Sequence, residues 1–229
     1  MYESKKILAL IPARGGSKRL KRKNVLPLLG KPLIAWSIQH ALGSKYIDKV
    51  VVSTEDEEIA EVAKKFGAEV PFMRPKELAK DDTPTMDVVL HAINFFERKG
   101  ELFDYLVLLQ PTSPVREVET LDEAIRMLIN HPTAQALVSV SPVEKKCSDF
   151  LVSVDEKGFL KQAPAKGGLF YLNGNLYIAT IDSLKAKKSF FHDKTLAFVL
   201  PKWQAVDIDD IYDFLFAEAI LRAKEEGII

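Results

Sequence analysis

Continuous apolar runs alternate with segments of helical periodicity between Lys6 and Val140. Short apolar runs are typical of strands buried on both faces of a sheet, and they predict strands at residues 6–12, 49–53, 68–73, 105–110 and 134–140. Apolar residues that recur every three or four positions predict helices at residues 32–42, 55–66, 85–99 and 117–130. Such alternation favours right-handed βαβ units, so we expect an α/β fold with a mostly parallel sheet and helices on both faces.

The pattern changes near Ser141. Two short runs, at residues 150–154 and 159–161, flank a turn-forming segment and predict a hairpin. Strand character returns at residues 169–178 and 196–200, and a last helix is predicted at residues 210–226. We therefore expect a single domain over residues 1–229, with a small inserted β-rich lobe at approximately residues 141–170.

Composition narrows the classes of function. The chain has 229 residues, of which 47% are hydrophobic, enough for one sizeable core. Its 32 basic residues balance 32 acidic ones, which argues against a nucleic-acid partner. No apolar run approaches the roughly 20 residues that span a bilayer, which argues against a membrane partner. The single cysteine, Cys147, cannot form an internal disulfide, so we expect a cytoplasmic protein.

Positive charge is concentrated after the first predicted strand. Ten lysines and arginines but no acidic residue lie between Ser4 and Ile47, and six of the ten fall between Arg14 and Lys23. In doubly wound sheets, ligands bind beyond the carboxyl ends of the strands. The paired glycines of this loop would let the backbone approach a phosphate closely. The loop is therefore either a polyphosphate site or a solvated basic surface, and its position favours the first.

Two further groups of polar residues follow predicted strands. Gln110 ends the fourth strand, and its amide can both donate and accept hydrogen bonds, as a sugar requires; the alternative is a rigid turn. Asp207 and Asp209 are two residues apart and share one side of an extended segment. Paired carboxylates suit Mg²⁺ with bound phosphates. The alternative for Asp209 is the N-cap of the last helix, which leaves Asp207 unexplained.

Seven segments resemble, in order, the signatures of the CMP-sialic acid synthetases, or N-acylneuraminate cytidylyltransferases. They are PARGGSKRLKRKN at residues 12–24, VSTED at 52–56, RPKELA at 74–79, DDTPT at 81–85, LQPTSPVR at 109–116, NG at 173–174 and DID at 207–209. The resemblance extends from Ile7 to about Phe216. It implies a Rossmann-like nucleotidyltransferase fold and a homodimer formed through the inserted lobe.

The resemblance also implies a reaction, in which CMP from CTP is joined to the anomeric hydroxyl of an acidic sugar with Mg²⁺ as cofactor. Nucleotide-binding roles fall on Ala13, Arg14, Gly15, Ser17, Lys23, Asn24, Arg74, Thr83 and Thr85. Sugar-binding roles fall on Gln110, Lys161, Tyr171 and Asn173. The resemblance implies that Asp207 and Asp209 bind the metal. It implies that these two carboxylates, Arg14 and Lys23 are catalytic. For Thr83 and Thr85, a plain helix start is the alternative.

One departure concerns the sugar. Sialic acid synthetases place an arginine two residues before the Asn-Gly pair, and Tyr171 stands there in this sequence. Lys161 and Lys166 are nearby, but they lack the bidentate fork of arginine. The acceptor would then be legionaminic, pseudaminic or another nonulosonic acid. Two alternatives are a CMP-Kdo synthetase and a CTP-binding regulator without turnover.

Overall fold

The computed structural model describes residues 2–143, 151–162 and 169–229. Its strands are β1 (Ile7–Pro12), β2 (Pro27–Leu28), β3 (Lys31–Pro32), β4 (Lys49–Ser53), β5 (Tyr105–Leu108), β6 (Ala136–Pro142), β7 (Leu151–Val154), β8 (Leu160–Gln162), β9 (Phe170–Thr180) and β10 (Thr195–Val199). Its α-helices are α1 (Leu33–Gly43), α2 (Glu57–Lys65), α3 (Thr85–Arg98), α4 (Val118–Asn130), α5 (Ile181–Lys187) and α6 (Ile211–Glu225).

The main sheet has the order β10-β6-β9-β5-β1-β4. Strand β1 is parallel to both β4 and β5, and β10 is parallel to β6. Strand β9 runs antiparallel to its neighbours β5 and β6. The predicted α/β fold with a mostly parallel sheet is therefore confirmed, with β9 as the reversed strand.

Helices cover both faces of this sheet, as the uninterrupted apolar character of its strands requires. One core cluster joins the sheet to α1, α2 and α4, and the other joins it to α3 and α5. A third cluster, which includes Trp36 and Phe214, packs α6 against the start of α1. Burial of each large apolar side chain contributes about 1.5–3 kcal/mol.

The predicted β-rich lobe continues the main sheet. Strand β7 pairs with β8 and with the first residues of β9, so that Leu151 lies opposite Tyr171. Cys147 and Lys166 lie outside the described residues. The lobe's predicted role in forming a dimer remains a prediction.

Besides the two-residue strands β2 and β3, which were not predicted, two elements differ from the sequence prediction. Residues 68–73 form only an isolated bridge between Glu69 and Val51. Pro71 has no N–H to extend the ladder, and this segment instead turns into the loop that carries Arg74. Helix α5 was not predicted, although Thr180 accepts a capping hydrogen bond from the Ser183 N–H at 3.2 Å. Within the described residues, no helix has the length and apolar character to cross a membrane.

Candidate active site

The basic loop after β1 is fixed at both of its ends. Its first residue, Ala13, is buried and donates its backbone N–H to the Ser53 carbonyl at 2.9 Å. Near its other end, Arg22 has a left-handed backbone (φ 57°) and forms ion pairs with Asp56 and Glu58 at the start of α2. Asp56 is also the N-cap of α2. The loop is therefore anchored to the same helix start that follows β4.

Gly15 allows this loop to approach α2 closely. Its N–H donates to Glu55 Oε1 at 2.7 Å, and a Cβ at this position would overlap the Asp56 carboxylate. A Cβ at the neighbouring Gly16 would meet open space. The Gly15 amide is therefore occupied by Glu55, and the predicted phosphate contact of Gly15 remains a prediction.

Lys23 and Asn24 form the end of the loop, on a 3-10 turn at Lys23–Val25. The Asn24 side-chain amide donates to the Arg14 carbonyl at 2.9 Å and so closes the loop on itself. The Lys23 side chain is 12% exposed, and its ammonium donates to the Ile208 carbonyl. Burial lowers the pKa of Lys23, while the charges of Asp209 and Asp207 oppose that shift.

The segment before α6 presents two carboxylates beside Lys23. Ile208 is buried and donates its N–H to the Thr112 carbonyl at 2.7 Å, so its neighbours Asp207 and Asp209 lie on the other side of the chain. Asp209 lies 3.0 Å from Arg19 Nη1 and 4.0 Å from Lys23 Nζ. The pKa of Asp207 is raised, chiefly because surrounding protein displaces water, and further because Asp209 is close.

The N-cap explanation for Asp209 is wrong. The cap of α6 is Asp210, whose carboxylate accepts from the N–H groups of Tyr212 at 2.8 Å and Asp213 at 3.1 Å. Asp213 returns a capping-box bond to the Asp210 N–H at 3.1 Å. The side chains of Asp207 and Asp209 therefore have no part in capping α6.

The chemistry of these two carboxylates suits Mg²⁺, which prefers hard oxygen ligands. In the part of the chain that the structure describes, no group of three or more acidic, histidine or cysteine side chains is placed to hold a metal. An ion at Asp207 and Asp209 would therefore take its other ligands from phosphate and water.

A cleft of about 260 Å³ opens at the carboxyl ends of β1 and β5. It collects most of the predicted nucleotide-binding residues together with one predicted sugar-binding residue. Those of its lining residues that were predicted are Arg14, Ser17, Lys23, Asn24, Arg74, Thr83, Thr85 and Gln110. A second groove, beside Arg14 and Lys23, extends the cleft to Asp209.

The side of the cleft opposite Lys23 is built from Arg74 and the segment that follows it. Arg74 is buried and donates to Ser53 Oγ at 3.1 Å, and burial lowers its pKa to about 10. Asp81 forms ion pairs with Arg14 and Lys18 across the cleft. Sequence reasoning did not single out Asp81 as a functional residue, although it begins the quoted DDTPT segment.

The threonines of that segment do not cap α3. The helix begins at Thr85, and the residue at its N-cap position, Pro84, makes no side-chain capping bond. Thr83 Oγ1 instead donates to the Glu77 carbonyl at 3.3 Å. Both threonines line the cleft, which leaves them available to a ligand there.

A second cavity of about 350 Å³ adjoins the cleft and shares Gln110 and Thr85 with it. Its lining is mainly apolar. The apolar lining residues are Pro84, Met86, Leu108, Val138, Leu172, Phe190 and Phe191, joined by Tyr177. Sequence reasoning missed this cavity because its walls come from α3, β5, β6, β9 and the loop after α5.

Residues 8–157 match the sequence family described as Cytidylyltransferase. The chain belongs to the cytidylyltransferase family. It is 37% identical to the CMP-N,N'-diacetyllegionaminic acid synthase of Legionella pneumophila, over 98% of this chain and 100% of that protein. It is 33% identical to the pseudaminic acid cytidylyltransferase of Campylobacter jejuni, over 97% of this chain and 99% of that protein. The family membership inferred from the seven segments is thereby confirmed.

The fold of this cytidylyltransferase also matches solved structures. A CMP:2-keto-3-deoxy-manno-octonic acid synthetase complexed with CTP superposes with a TM-score of 0.78, covering 96% of this chain and 99% of that one. The sequence identity is 19%, so this likeness shows the nucleotidyltransferase fold.

Arg116 is a buried residue of the cytidylyltransferase that sequence reasoning quoted but did not interpret. Its guanidinium donates to Asn175 Oδ1 at 3.0 Å, to the Asn175 carbonyl at 2.6 Å, to Ser37 Oγ at 3.2 Å and to the Gln110 carbonyl at 3.4 Å. Burial lowers its pKa to about 9. Arg116 thus connects β9 and α1 to the turn that presents Gln110.

Two of the other predicted sugar-binding residues, Tyr171 and Asn173, do not line the cleft of the cytidylyltransferase. Asn173 is buried; its side-chain Oδ1 accepts from the Ser139 hydroxyl at 2.5 Å, and its Nδ2 donates to Ser141 Oγ at 2.9 Å. Tyr171 lies on β9, and Lys161 lies on β8. Neither Tyr171 nor Asn173 is among the residues that line the cleft or the second cavity. For all three residues, contact with a sugar remains a prediction.

Proposed function

We propose that this chain transfers CMP from CTP to the anomeric hydroxyl of an acidic 2-keto sugar of the nonulosonic acid type and releases pyrophosphate. The observation that carries the proposal is the contact of Lys23 with the Asp207–Asp209 segment. Lys23 belongs to the basic loop and the carboxylates belong to a segment 185 residues later. Their proximity would give a phosphate-binding surface beside a pair of metal ligands.

The triphosphate of CTP would lie over the basic loop, near Arg14, Ser17 and Lys23. The cytidine would extend toward Arg74, Thr83 and Thr85 on the opposite wall of the cleft. Asp81 holds Arg14 and Lys18 by ion pairs. A bound phosphate would replace Asp81 as the partner of Arg14, whose planar fork suits phosphate oxygens.

Lys23 would stabilise the charge that develops at the α-phosphate. Its ammonium has little exposure and is fixed by the Ile208 carbonyl. A preorganised cation in a poorly solvated site stabilises developing charge more strongly than a mobile, hydrated one. The remaining catalysis would come from holding the sugar hydroxyl in line with the α-phosphorus.

Asp207 and Asp209 would hold Mg²⁺ together with phosphate oxygens. When bound there, the ion would offset phosphate charge and favour ionisation of a coordinated hydroxyl. Until CTP arrives, Arg19 and Lys23 balance part of the charge of Asp209.

The acceptor sugar would occupy the second cavity, with Gln110 at its junction with the nucleotide cleft. The apolar walls of this cavity favour a sugar that carries acylamido or deoxy groups. Both relatives compared above are named for sugars of this kind, legionaminic and pseudaminic acid. Tyr171 and Asn173 would reach the sugar only through a rearrangement or a second subunit, and Lys161 would complete the sugar site with them.

A homodimer through the 141–170 lobe and a cytoplasmic location complete the proposal. In the described residues, β7 is the one strand paired with β8, and a single bridge joins Phe159, just before β8, to Leu196 of β10. A second copy would pair with the part of the β8 edge beyond that bridge. CTP is a cytoplasmic metabolite, and the single cysteine fits a reducing compartment.

The test is pyrophosphate release from CTP and Mg²⁺ with a panel of acidic sugars: legionaminic, pseudaminic, N-acetylneuraminic and 2-keto-3-deoxy-manno-octonic acid. We expect release with CTP alone among the nucleoside triphosphates, and with a nine-carbon acid. Release only with 2-keto-3-deoxy-manno-octonic acid (Kdo), the eight-carbon sugar of the panel, would favour a CMP-Kdo synthetase. CTP binding without turnover on any sugar would favour the regulator.

A further inference from the structure

The second cavity, which the proposed function assigns to the acceptor sugar, is bordered by a single charged side chain in the part of the chain that the structure describes. That side chain is Lys188, at the C-cap of α5. The other lining residues are apolar or uncharged. A carboxylate is costly to remove from water unless an opposite charge or hydrogen-bond donors replace the water. Lys188 therefore has the charge that an acidic ligand of this cavity requires.

The course of α5 brings Lys188 to the level of the carboxyl end of β5. Strand β9 runs antiparallel to β5, so that Thr180 lies opposite Tyr105 at the start of β5. Helix α5 begins directly after Thr180, and its seven residues span about 10 Å. The four residues of β5 cover a similar distance. Lys188 thus borders the same space as Leu108, which ends β5, and Gln110.

This position suits the chemistry of the acceptor. A 2-keto acid sugar carries its carboxylate on the same carbon as the anomeric hydroxyl. A cation that binds this carboxylate must therefore lie near the junction of the sugar and nucleotide sites. Gln110 marks that junction, since it lines both the cleft and the second cavity. Lys188 shares the cavity with Gln110, and its flexible four-carbon stem gives the ammonium a reach of several ångströms.

The backbone at Lys188 is in a conformation that lysine rarely adopts. Its φ is 51° and its ψ is 37°, in the left-handed region. Glycine usually ends a helix in this conformation because it has no Cβ to clash. A lysine there interacts favourably with the helix dipole, but Lys185 and Lys187 already place positive charge in the last turn. A residue held in such a conformation points to a use of its side chain outside the helix.

The Lys188 ammonium is also available to a ligand. Lys185, one turn earlier on α5, is paired with Glu97 at 2.7 Å. Among the described residues, no carboxylate forms an ion pair with Lys188, and the residue is exposed. A carboxylate that enters the cavity would therefore not have to displace an anion that the subunit already holds.

We propose that Lys188 binds the carboxylate of the acceptor sugar and so makes the cavity selective for acidic sugars. This inference rests on the proposed function, since it assumes that the sugar occupies this cavity. Tyr171, which stands where sialic acid synthetases have an arginine, does not line the cavity. Lys188 would thus provide, from the end of α5, a positive charge that β9 does not provide. As a point charge on a mobile stem, it would fix the carboxylate less rigidly than an arginine fork.

The test measures how strongly the full chain prefers legionaminic acid, or pseudaminic acid, over the primary carboxamide of the same sugar, which has nearly the same size but no charge. Titration calorimetry with saturating CMP and Mg²⁺ gives both dissociation constants without turnover. We expect the wild type to bind the acid about tenfold more tightly, because the carboxamide loses a charge-assisted hydrogen bond. Lys188→Gln should abolish this preference by weakening the binding of the acid alone.

Lys187→Gln is the matched control. It removes the same charge from an exposed lysine at the same helix end, and Lys187 is not among the residues that line the cavity, so the preference should persist. Lys188→Gly should lose the preference too, while its urea midpoint should not fall, because glycine tolerates the left-handed backbone. This second variant separates loss of the charge from loss of the fold.

A Lys188→Gln variant that still prefers the acid as strongly as the wild type would overturn the inference. A preference that disappears in Lys161→Gln but persists in Lys188→Gln would also overturn it, since the carboxylate would then lie at the lobe. If no acid binds the wild type, both this inference and the proposed function fail. If binding depends on Lys188 but the complete reaction releases no pyrophosphate, the proposed function alone fails.

Discussion

Lys23 joins the basic loop to the acidic segment, and its contacts define what this residue can do. The ammonium is held by the Ile208 carbonyl and lies 4.0 Å from Asp209, with little access to water. Its neighbour two positions earlier, Lys21, is exposed and lines neither the cleft nor its extension as described. The two lysines therefore offer a matched comparison within one loop.

We expect Lys23→Ala to lower kcat with CTP and the acceptor sugar by about 10²–10³-fold, because a preorganised cation at the α-phosphate is lost. Lys21→Ala should keep the wild-type kcat. Steady-state pyrophosphate release measures both variants. Equal activity of the two variants would remove Lys23 from the catalytic group.

A second matched pair is Gly15 and Gly16. Gly15→Ala should displace Asp56, which caps α2 and pairs with Arg22, whereas Gly16→Ala meets open space. We expect Gly15→Ala to cost about 1–3 kcal/mol of unfolding free energy and to weaken CTP binding. Gly16→Ala should leave both unchanged. Urea unfolding and calorimetric titration with CTP measure the two effects, and similar behaviour of the variants would contradict this role for Gly15.

At the residue scale, the sequence predicted which residues gather at the candidate nucleotide site but not the partners that they contact there. Arg14, Lys23 and Asn24 could be found because they follow a buried strand in a distinctive loop. The hydrogen bond from the Gly15 N–H to Glu55 could not be predicted. It depends on the distance between two loops, which only the folded sheet determines.

At the scale of elements, Arg116 connects the turn after β5 to α1 and β9. Arg116→Lys keeps the charge but loses the fork that reaches Asn175, Ser37 and Gln110 together. We expect a loss of about 1–3 kcal/mol in unfolding free energy, since buried acceptors lose their donor. We also expect the KM for the sugar to rise more than the KM for CTP, because Gln110 loses its support. An unchanged ratio of the two KM values would make Arg116 purely structural.

His40 on α1 gives a prediction about pH. Burial is the main cause that lowers its pKa to about 3, against 6.5 in an unfolded chain. The unfolded state then binds the proton first, so His40 destabilises the fold as the pH falls below about 6.5. Relative to His40→Gln, the wild type should lose up to about 1.4 kcal/mol per pH unit between pH 6.5 and 3. Unfolding free energies that fall in parallel for the two proteins would contradict this.

Helices and strands were predictable where a single feature of the sequence, its apolar periodicity, was strong. The buried strands and amphipathic helices follow from apolar periodicity alone. The strand expected at residues 68–73 failed because Pro71 interrupts the ladder, and α5 was missed because seven residues carry little periodicity. The reversal of β9 was not predictable, since the direction of a strand depends on which neighbours it pairs with in the sheet.

At the scale of the molecule, the sheet explains why residues distant in sequence form one site. The carboxyl ends of β1, β4 and β5 meet at one edge, and the segment before α6 passes across it. This convergence was expected from the α/β pattern. The second cavity was not, because its walls combine elements whose relative positions are a property of the whole fold.

The central claim is that a sugar hydroxyl and the α-phosphate of CTP are joined in this cleft. Mass spectrometry of a reaction containing CTP, Mg²⁺ and legionaminic or pseudaminic acid measures this directly. We predict a CMP-linked sugar formed in equal amount with pyrophosphate by the wild type, and its near absence with Lys23→Ala. Hydrolysis of CTP without a CMP-linked sugar, or equal product from both proteins, would contradict the account.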